Sequence, residues 1–381
     1  MNEKLKVLFI SAPIGAGHLR SAQAIAAALQ KKDASAEFKI ANSFDFFSPL
    51  LGKWILKLYT KILGLCPWAY AIAYSWGNDS GAALALRDVI NRYLAGCMLE
   101  YILEYSPHVI VCTHATPAGL CAELLRRNKI YIPVIAVIND FTVHRLWIYP
   151  ELTRYYVADG SLKERLVSGG VAPENISISG IPVHAAFLQK DCEEDILKDL
   201  NLSGDSKTIL IMGGGWAVMP MDEVVLACQQ LLFPVQVIAI TGQNQRMFDR
   251  LNHLQPRFSK PTIILGYSTQ IHRFMQAADV IISKPGGVTC AEAMATGLPM
   301  LIFRPIPGQE EANAQFLLQH KFARRADTLA ELTSVLTGFF SRDAGTFDCL
   351  QENLRRLHKV NAADKIASDI FSLAGKGSNS G

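Results

Sequence analysis

Residues 283–313 read SKPGGVTCAEAMATGLPMLIFRPIPGQEEAN, and this stretch holds two strand-to-helix turns in succession. The apolar run Val280–Ser283 predicts a buried strand that stops at Lys284-Pro285-Gly286-Gly287, with a helix starting near Val288. Met300–Phe303 predicts the next strand, and Pro307-Gly308-Gln309-Glu310 opens the helix after it. Short continuous apolar runs between helices belong to a parallel sheet covered on both faces. Free N–H groups at a helix start attract an anion, so Gly286 and Gly287 form a cradle suited to a diphosphate. Glu292, one helical turn further in, suits the two hydroxyls of a ribose. The amide of Gln309 and the carboxylate of Glu310 can clamp sugar hydroxyls. The plainer alternative is two ordinary turns, with Glu292 and Glu310 as solvated acids near a helix start.

The same rhythm runs through the whole chain. Upstream, Lys6–Ala12, Glu37–Ser43, Val109–Thr113, Val134–Asn139 and Tyr155–Ala158 read as short buried strands, with an Ala-rich helix at Ser21–Lys32. Downstream, Thr208–Met212, Gln236–Ile240 and Thr262–Leu265 precede the two strands already named. Two such series predict an α/β protein of two doubly wound, Rossmann-like domains, with a cleft where their strand ends face each other. The charged stretch Lys190–Ser206 marks the expected boundary, giving domains 1–190 and 191–381.

Composition narrows the class. Of 381 residues, 50% are hydrophobic and 19% charged, which excludes wholesale disorder. The formal net charge is only +3, with 19 Lys and Arg against 14 Asp and Glu in residues 1–190. That is too mild for a dedicated nucleic-acid binder, so no nucleic-acid partner is expected. The eight cysteines are scattered, with no Cys-x-x-Cys pair and no zinc spacing. No apolar run approaches the roughly 20 residues that span a bilayer. With the first strand starting at about Lys6, no export segment is expected either, and the reading is a protein of the reducing cytoplasm.

Two further glycine turns stand at strand ends. Ser11–His18 reads SAPIGAGH, where Gly15 and Gly17 let the backbone approach a ligand. As a dinucleotide fingerprint it is incomplete, because Arg20 holds the third glycine position and Asn42 and Ser43 end the second strand. His18 on that turn is placed to take a proton from a substrate hydroxyl; a packing or capping histidine is the alternative. Gly213-Gly214-Gly215 ends the first strand of the second half, either beneath the same phosphates or as a simple tight turn.

The rhythm breaks at Phe44–Gly81, which contains three of the five tryptophans and places Lys53, Lys57 and Lys61 at helical spacing. Such a segment suits an anionic membrane surface, with aromatics inserted and lysines toward phosphates. An ordinary helical excursion fits the same composition.

In that order, the Gly-Ala-Gly-His turn, the Lys-Pro-Gly-Gly…Glu-Ala helix and the Pro-Gly-Gln-Glu-x-x-Asn helix resemble the GT-B glycosyltransferases that glycosylate lipids. The nearest resemblance is to the monogalactosyldiacylglycerol synthase and processive diacylglycerol glucosyltransferase group, and more distantly to the peptidoglycan N-acetylglucosaminyltransferase. Asn139-Asp140-Phe141, His144, Trp147, Tyr155-Tyr156-Val157 and Ser179–Val183 agree with it. The family often has Thr where Asn139 stands, and Ala16 separates the first two glycines.

This resemblance implies roles. His18 would be the general base, and Asp140 would hold the acceptor or support the base. Gly286, Gly287 and Gly213–Gly215 would face the diphosphate with Lys284, and the turn Gly266-Tyr267 would meet the uracil. Glu292 would bind ribose, while Gly308, Gln309, Glu310 and Asn313 would form the hexose motif. Phe44–Gly81 would meet the membrane and the lipid acceptor. A UDP-sugar is then a co-substrate and no cofactor is expected. No Asp-x-Asp occurs in the chain, so a helix N-terminus in place of a metal would neutralise the leaving group. The expected reaction is inverting, metal-independent transfer of glucose or galactose to diacylglycerol or a related glycolipid, at the inner face of a membrane. Three other readings stay open: N-acetylglucosamine transfer to a prenyl-diphosphate-linked acceptor, a nicotinamide-dependent oxidoreductase, and a non-catalytic UDP-sugar sensor.

Overall fold

A computed structural model describes residues 4–12, 15–46, 67–215, 219–341, 345–356 and 361–377. The lysine stripe at 53, 57 and 61 lies outside the described residues. The chain forms two compact units. The first combines Met1–Ala185 with Pro307–Gln309 and Val360–Gly381; the second combines Ala186–Ile306 with Glu310–Lys359.

The first unit contains β1 (Lys6–Ser11), α1 (Gly17–Lys32), β2 (Glu37–Asn42), α2 (Pro67–Asp79), α3 (Gly81–Leu94) and α4 (Gly96–Tyr105). It continues through β3 (Val109–Cys112), α5 (Ala115–Arg126), β4 (Val134–Val137), β5 (Arg154–Val157), α6 (Gly160–Ser168) and β6 (Ile176–Ile178). Its six strands are all parallel, in the order β2-β1-β3-β4-β5-β6. Alternate residues of these strands feed two cores, as the two-residue period of a strand requires. Leu8, Ile10, Ile110, Cys112, Val134 and Ala136 pack with Met98, Ile102 and Leu120 of α4 and α5. Val7, Phe9, Val109, Val111, Ile135 and Val137 pack on the other side with Ile25 and Leu29 of α1.

The second unit runs α7 (Glu193–Asp199), β7 (Lys207–Met212), α8 (Met221–Gln229), β8 (Val235–Ile240), α9 (Gln245–Leu254), β9 (Thr262–Leu265) and α10 (Ile271–Gln276). Then come β10 (Val280–Ser283), α11 (Gly287–Thr296), β11 (Met300–Phe303), α12 (Gln309–Gln319), β12 (Ala323–Ala326), α13 (Leu329–Phe340) and α14 (Gly345–Arg356). The sheet is again six-stranded and parallel, in the order β12-β11-β10-β7-β8-β9. Its core joins Ile209, Ile211, Val237, Val280, Ile282 and Phe303 to Val224 and Val225 of α8 and Leu332 and Leu336 of α13.

The last helix, α15 (Ala362–Gly377), corrects the expected second domain of 191–381, because it belongs to the first unit. Its buried face of Ile366, Ala367, Ile370 and Leu373 joins the core under α1. Each large aliphatic side chain buried there contributes about 2 kcal/mol. Tyr156 donates to Asp369 at 2.9 Å and Lys32 to Asp364 at 3.0 Å, which fixes the register of that packing. Residues 186–190, expected in the first domain, fold with the second unit.

Candidate active site

In a doubly wound sheet, ligands bind beyond the carboxyl ends of the strands, where successive connections depart to opposite sides. In the first unit that point lies between β1 and β3, since β2 flanks β1 on its other side. His18 sits in the first turn of α1, after β1. Thr113 and His114 follow β3, while Asn139 and Asp140 follow β4. The topology therefore gathers these residues, which are far apart in sequence, at one end of the sheet.

Their hydrogen bonds fix the tautomers. The Nδ1 of His18 lies 2.5 Å from the carbonyl oxygen of Thr113, which can only accept, so Nδ1 carries the proton and Nε2 keeps its lone pair. The same carbonyl accepts from the Asn139 side-chain amide at 3.1 Å. This orients the Asn139 amide and makes its 3.3 Å approach to His18 Nδ1 a meeting of two donors around one shared acceptor. Burial lowers the His18 pKa below its ordinary 6.5, opposed by the negative charge of Asp140 and by the Thr113 bond. A neutral imidazole with a free Nε2 is the form a general base requires.

His114 has the opposite arrangement. It caps α5, and its Nδ1 accepts the Thr116 N–H at 3.1 Å. Its ring meets His18 edge-on, with centroids 4.8 Å apart. Burial, and then the charge of His18, hold its pKa well below 6.5.

His18, His114, Asp140, Thr142, His144, Trp147, Tyr74 and Gln309 line a small cavity of about 60 Å³. Gln309 donates its side-chain amide to Asp140 at 2.5 Å. Gly308 takes φ +97°, and a Cβ there would stand 3.1 Å from the Tyr74 ring. Tyr74 is held from two directions. His144 Nε2–H donates to its carbonyl at 2.9 Å, while the ring of His144 lies 4.5 Å from the Tyr74 ring. Burial, reinforced by Asp140, pushes the Tyr74 phenol up to about 12. His144 in turn accepts from Leu146 N–H through Nδ1, so it too is neutral, and burial lowers its pKa.

In the second unit the corresponding point lies between β7 and β10, where Gly213–Gly215 and Lys284–Gly287 leave neighbouring strand ends. Ser283 donates to the Met212 carbonyl at 2.7 Å and ties the two ends together. Gly286 is the cap residue of α11, and as a glycine it contributes no side-chain cap. Asn313 is fully buried and donates to the Pro285 carbonyl at 3.0 Å, so it positions the Lys284–Gly287 turn. Lys284 is buried and pairs with Glu310 at 3.7 Å; burial lowers its pKa and Glu310 opposes that. Glu310 also accepts from the Ile306 N–H at 2.7 Å. Glu292 is buried inside α11, while Tyr267, after β9, is exposed.

Thus the fold unites His18 with Asp140 in the first unit, and Lys284, Gly286, Gly287, Glu310 and Asn313 in the second. The Gln309 amide, expected at the hexose, meets Asp140 in this structure. Thr113, His114 and Tyr74 were given no site role by sequence reasoning. The Thr-His pair after an apolar run was the available signal for the first two. A further surface also lay outside the expected window. On α3 the exposed Leu86, Val89, Ile90 and Tyr93 follow helical spacing, while the exposed Ile72 and Trp76 of α2 fall within the expected window. Among the described residues, no helix is long and apolar enough to cross a membrane.

Residues 18–183 match the family model for monogalactosyldiacylglycerol (MGDG) synthase, and residues 208–338 match the glycosyltransferase family 28 C-terminal domain. The processive diacylglycerol beta-glucosyltransferase of Bacillus subtilis is 29% identical over 380 residues, covering 97% of this chain and 96% of its own. MurG of Acinetobacter baumannii shares the fold at a TM-score of 0.62 and 17% identity, covering 97% of this chain and 99% of its own. The UDP-GlcNAc 2-epimerase of Neisseria meningitidis, bound to UDP-GlcNAc, shares it at 0.60 and 14%, covering 97% and 100%. The last two likenesses speak for fold alone. With the GT-B fold, two glycosyltransferase family matches and a full-length relative in agreement, the chain is a GT-B glycosyltransferase that resembles the monogalactosyldiacylglycerol synthase and processive diacylglycerol glucosyltransferase group.

Proposed function

We propose that this protein transfers a hexose from a UDP-sugar to a hydroxyl of diacylglycerol or a related glycolipid, with inversion and without a resident metal. The observation that carries the reading is the His18–Thr113 bond, which leaves a basic Nε2 on a ring lining a polar cavity. The acceptor O–H proton passes to His18 Nε2 as the acceptor oxygen bonds the anomeric carbon. The bond from that carbon to UDP breaks, and its electron pair leaves with the diphosphate. Negative charge growing on the diphosphate meets the amides that open α11 and the Lys284 ammonium. The relatives' name specifies a β-glucosyl product, and forming such a product from a UDP-sugar whose hexose is α-linked requires inversion. An acceptor of this kind is reached at a lipid surface. The exposed apolar stripe of α3 and the basic, aromatic composition of 44–81 support docking there, on the inner, anionic face of a membrane.

The test is UDP release in mixed micelles containing diacylglycerol, with UDP-glucose, UDP-galactose and UDP-N-acetylglucosamine tried separately, each with and without EDTA. Lipid-dependent release with a hexose donor, indifferent to EDTA, is the expected result. Release that EDTA abolishes would overturn metal independence, and a requirement for the N-acetyl donor would overturn the hexose assignment.

A further inference from the structure

Nothing above uses the second imidazole of the acceptor cavity. The Nδ1 of His114 accepts from Thr116 N–H, so the neutral ring must carry its proton on Nε2. Among the described residues nothing accepts that proton, and the ring lines the cavity with His18 and Asp140. Charging His114 would put a second proton on Nδ1, donor against donor at Thr116, and would remove the cap of α5. His114 is therefore a fixed hydrogen-bond donor and cannot serve as the base. His18, edge-on beside it at 4.8 Å, presents the complementary lone pair. An adjacent acceptor and donor match a ligand with two neighbouring oxygens, one of which loses its proton.

We propose that His114 is a second acceptor-binding group, whose Nε2–H donates to the oxygen vicinal to the attacking hydroxyl. On diacylglycerol that is the sn-2 ester oxygen; on a glycolipid it is a neighbouring ring hydroxyl. His114 thereby selects acceptors bearing a 1,2-pair of oxygens and sets the attacking hydroxyl against His18. The inference rests on the reading of this cavity as the acceptor site.

The test uses the full chain with H114N and H114S, since Asn and Ser both keep a helix cap while neither reaches the position of Nε2. KM and kcat are measured for diacylglycerol and for an analogue lacking the sn-2 oxygen, together with UDP affinity and Tm. Loss of one hydrogen bond predicts a three- to tenfold rise, roughly, in the wild-type KM for the analogue over diacylglycerol. Both variants should show the same rise for diacylglycerol and no further rise for the analogue, with UDP affinity unchanged. Equal KM values for wild type and both variants would overturn the proposal. So would a fall in Tm and kcat at unchanged KM, which would leave His114 as a cap alone. Absence of wild-type turnover with diacylglycerol would instead overturn the acceptor reading beneath it.

Discussion

His18 and Thr113 stand 95 positions apart in the chain, yet the Nδ1 of one lies 2.5 Å from the carbonyl oxygen of the other. Parallel pairing of β1 with β3 makes this possible, because it brings the two strand ends together at the switch of the first sheet. A backbone carbonyl cannot change its protonation, so the tautomer of His18 is set by the fold itself.

Asp140 raises the pKa of His18, while burial lowers it below 6.5. Asp140→Asn removes the raising charge. The acidic limb of kcat/KM, which reports the base losing activity on protonation, should then move to lower pH, even as the maximal rate falls. A pH–rate profile of both proteins checks this. A limb that stays in place or moves upward would separate Asp140 from the base.

His18, His114 and His144 all have pKa values lowered from 6.5 by burial. As pH falls through 6.5, the unfolded chain binds protons that the folded chain refuses, so stability is lost on acidification. The slope is about 1.4 kcal/mol per pH unit for each histidine until its folded pKa is reached. Tm measured in steps below pH 6.5 should therefore fall. His114→Asn, which keeps the cap, should remove about a third of that slope.

Gly242 takes φ +57°, and a Cβ there would lie 2.6 Å from the carbonyl oxygen of Gly215. That carbonyl also accepts from Gln243 N–H at 2.9 Å, so it has little freedom to withdraw. Gly242→Ala should cost about 2 kcal/mol from left-handed strain alone and push the Gly213–Gly215 turn away from the strand ends. Tm and UDP affinity should both fall. Unchanged UDP affinity would place that turn outside the donor site.

Of the strands that could be read from sequence, Val109–Cys112, Val134–Val137, Val280–Ser283 and Met300–Phe303 are buried and apolar almost throughout, and the edge strands Glu37–Asn42 and Thr262–Leu265 were legible too. β6 and β12 were missed because they are short and their apolar runs are interrupted, Ile-Ser-Ile over 3 residues and Ala-Arg-Arg-Ala over 4. The amphipathic pattern of α15 shows a buried face but not which sheet it covers, and this is why its return to the first unit could not be read. At the site, glycines and a histidine at strand ends stood out as residue types. The Thr113 carbonyl did not, because a backbone group leaves no mark in side-chain chemistry. His114 and Tyr74 gain their places through a cap and a helix contact made only in the folded chain.

The central claim is that His18 takes the proton of the acceptor hydroxyl. It is tested most directly by following transfer of glucose from labelled UDP-glucose into diacylglycerol, with UDP affinity measured in parallel, for the wild type and His18→Ala. The account predicts transfer by the wild type, a loss of at least about a hundredfold in the variant, and nearly unchanged UDP affinity. Transfer by His18→Ala at close to the wild-type rate, or a collapse of UDP binding along with activity, would contradict it.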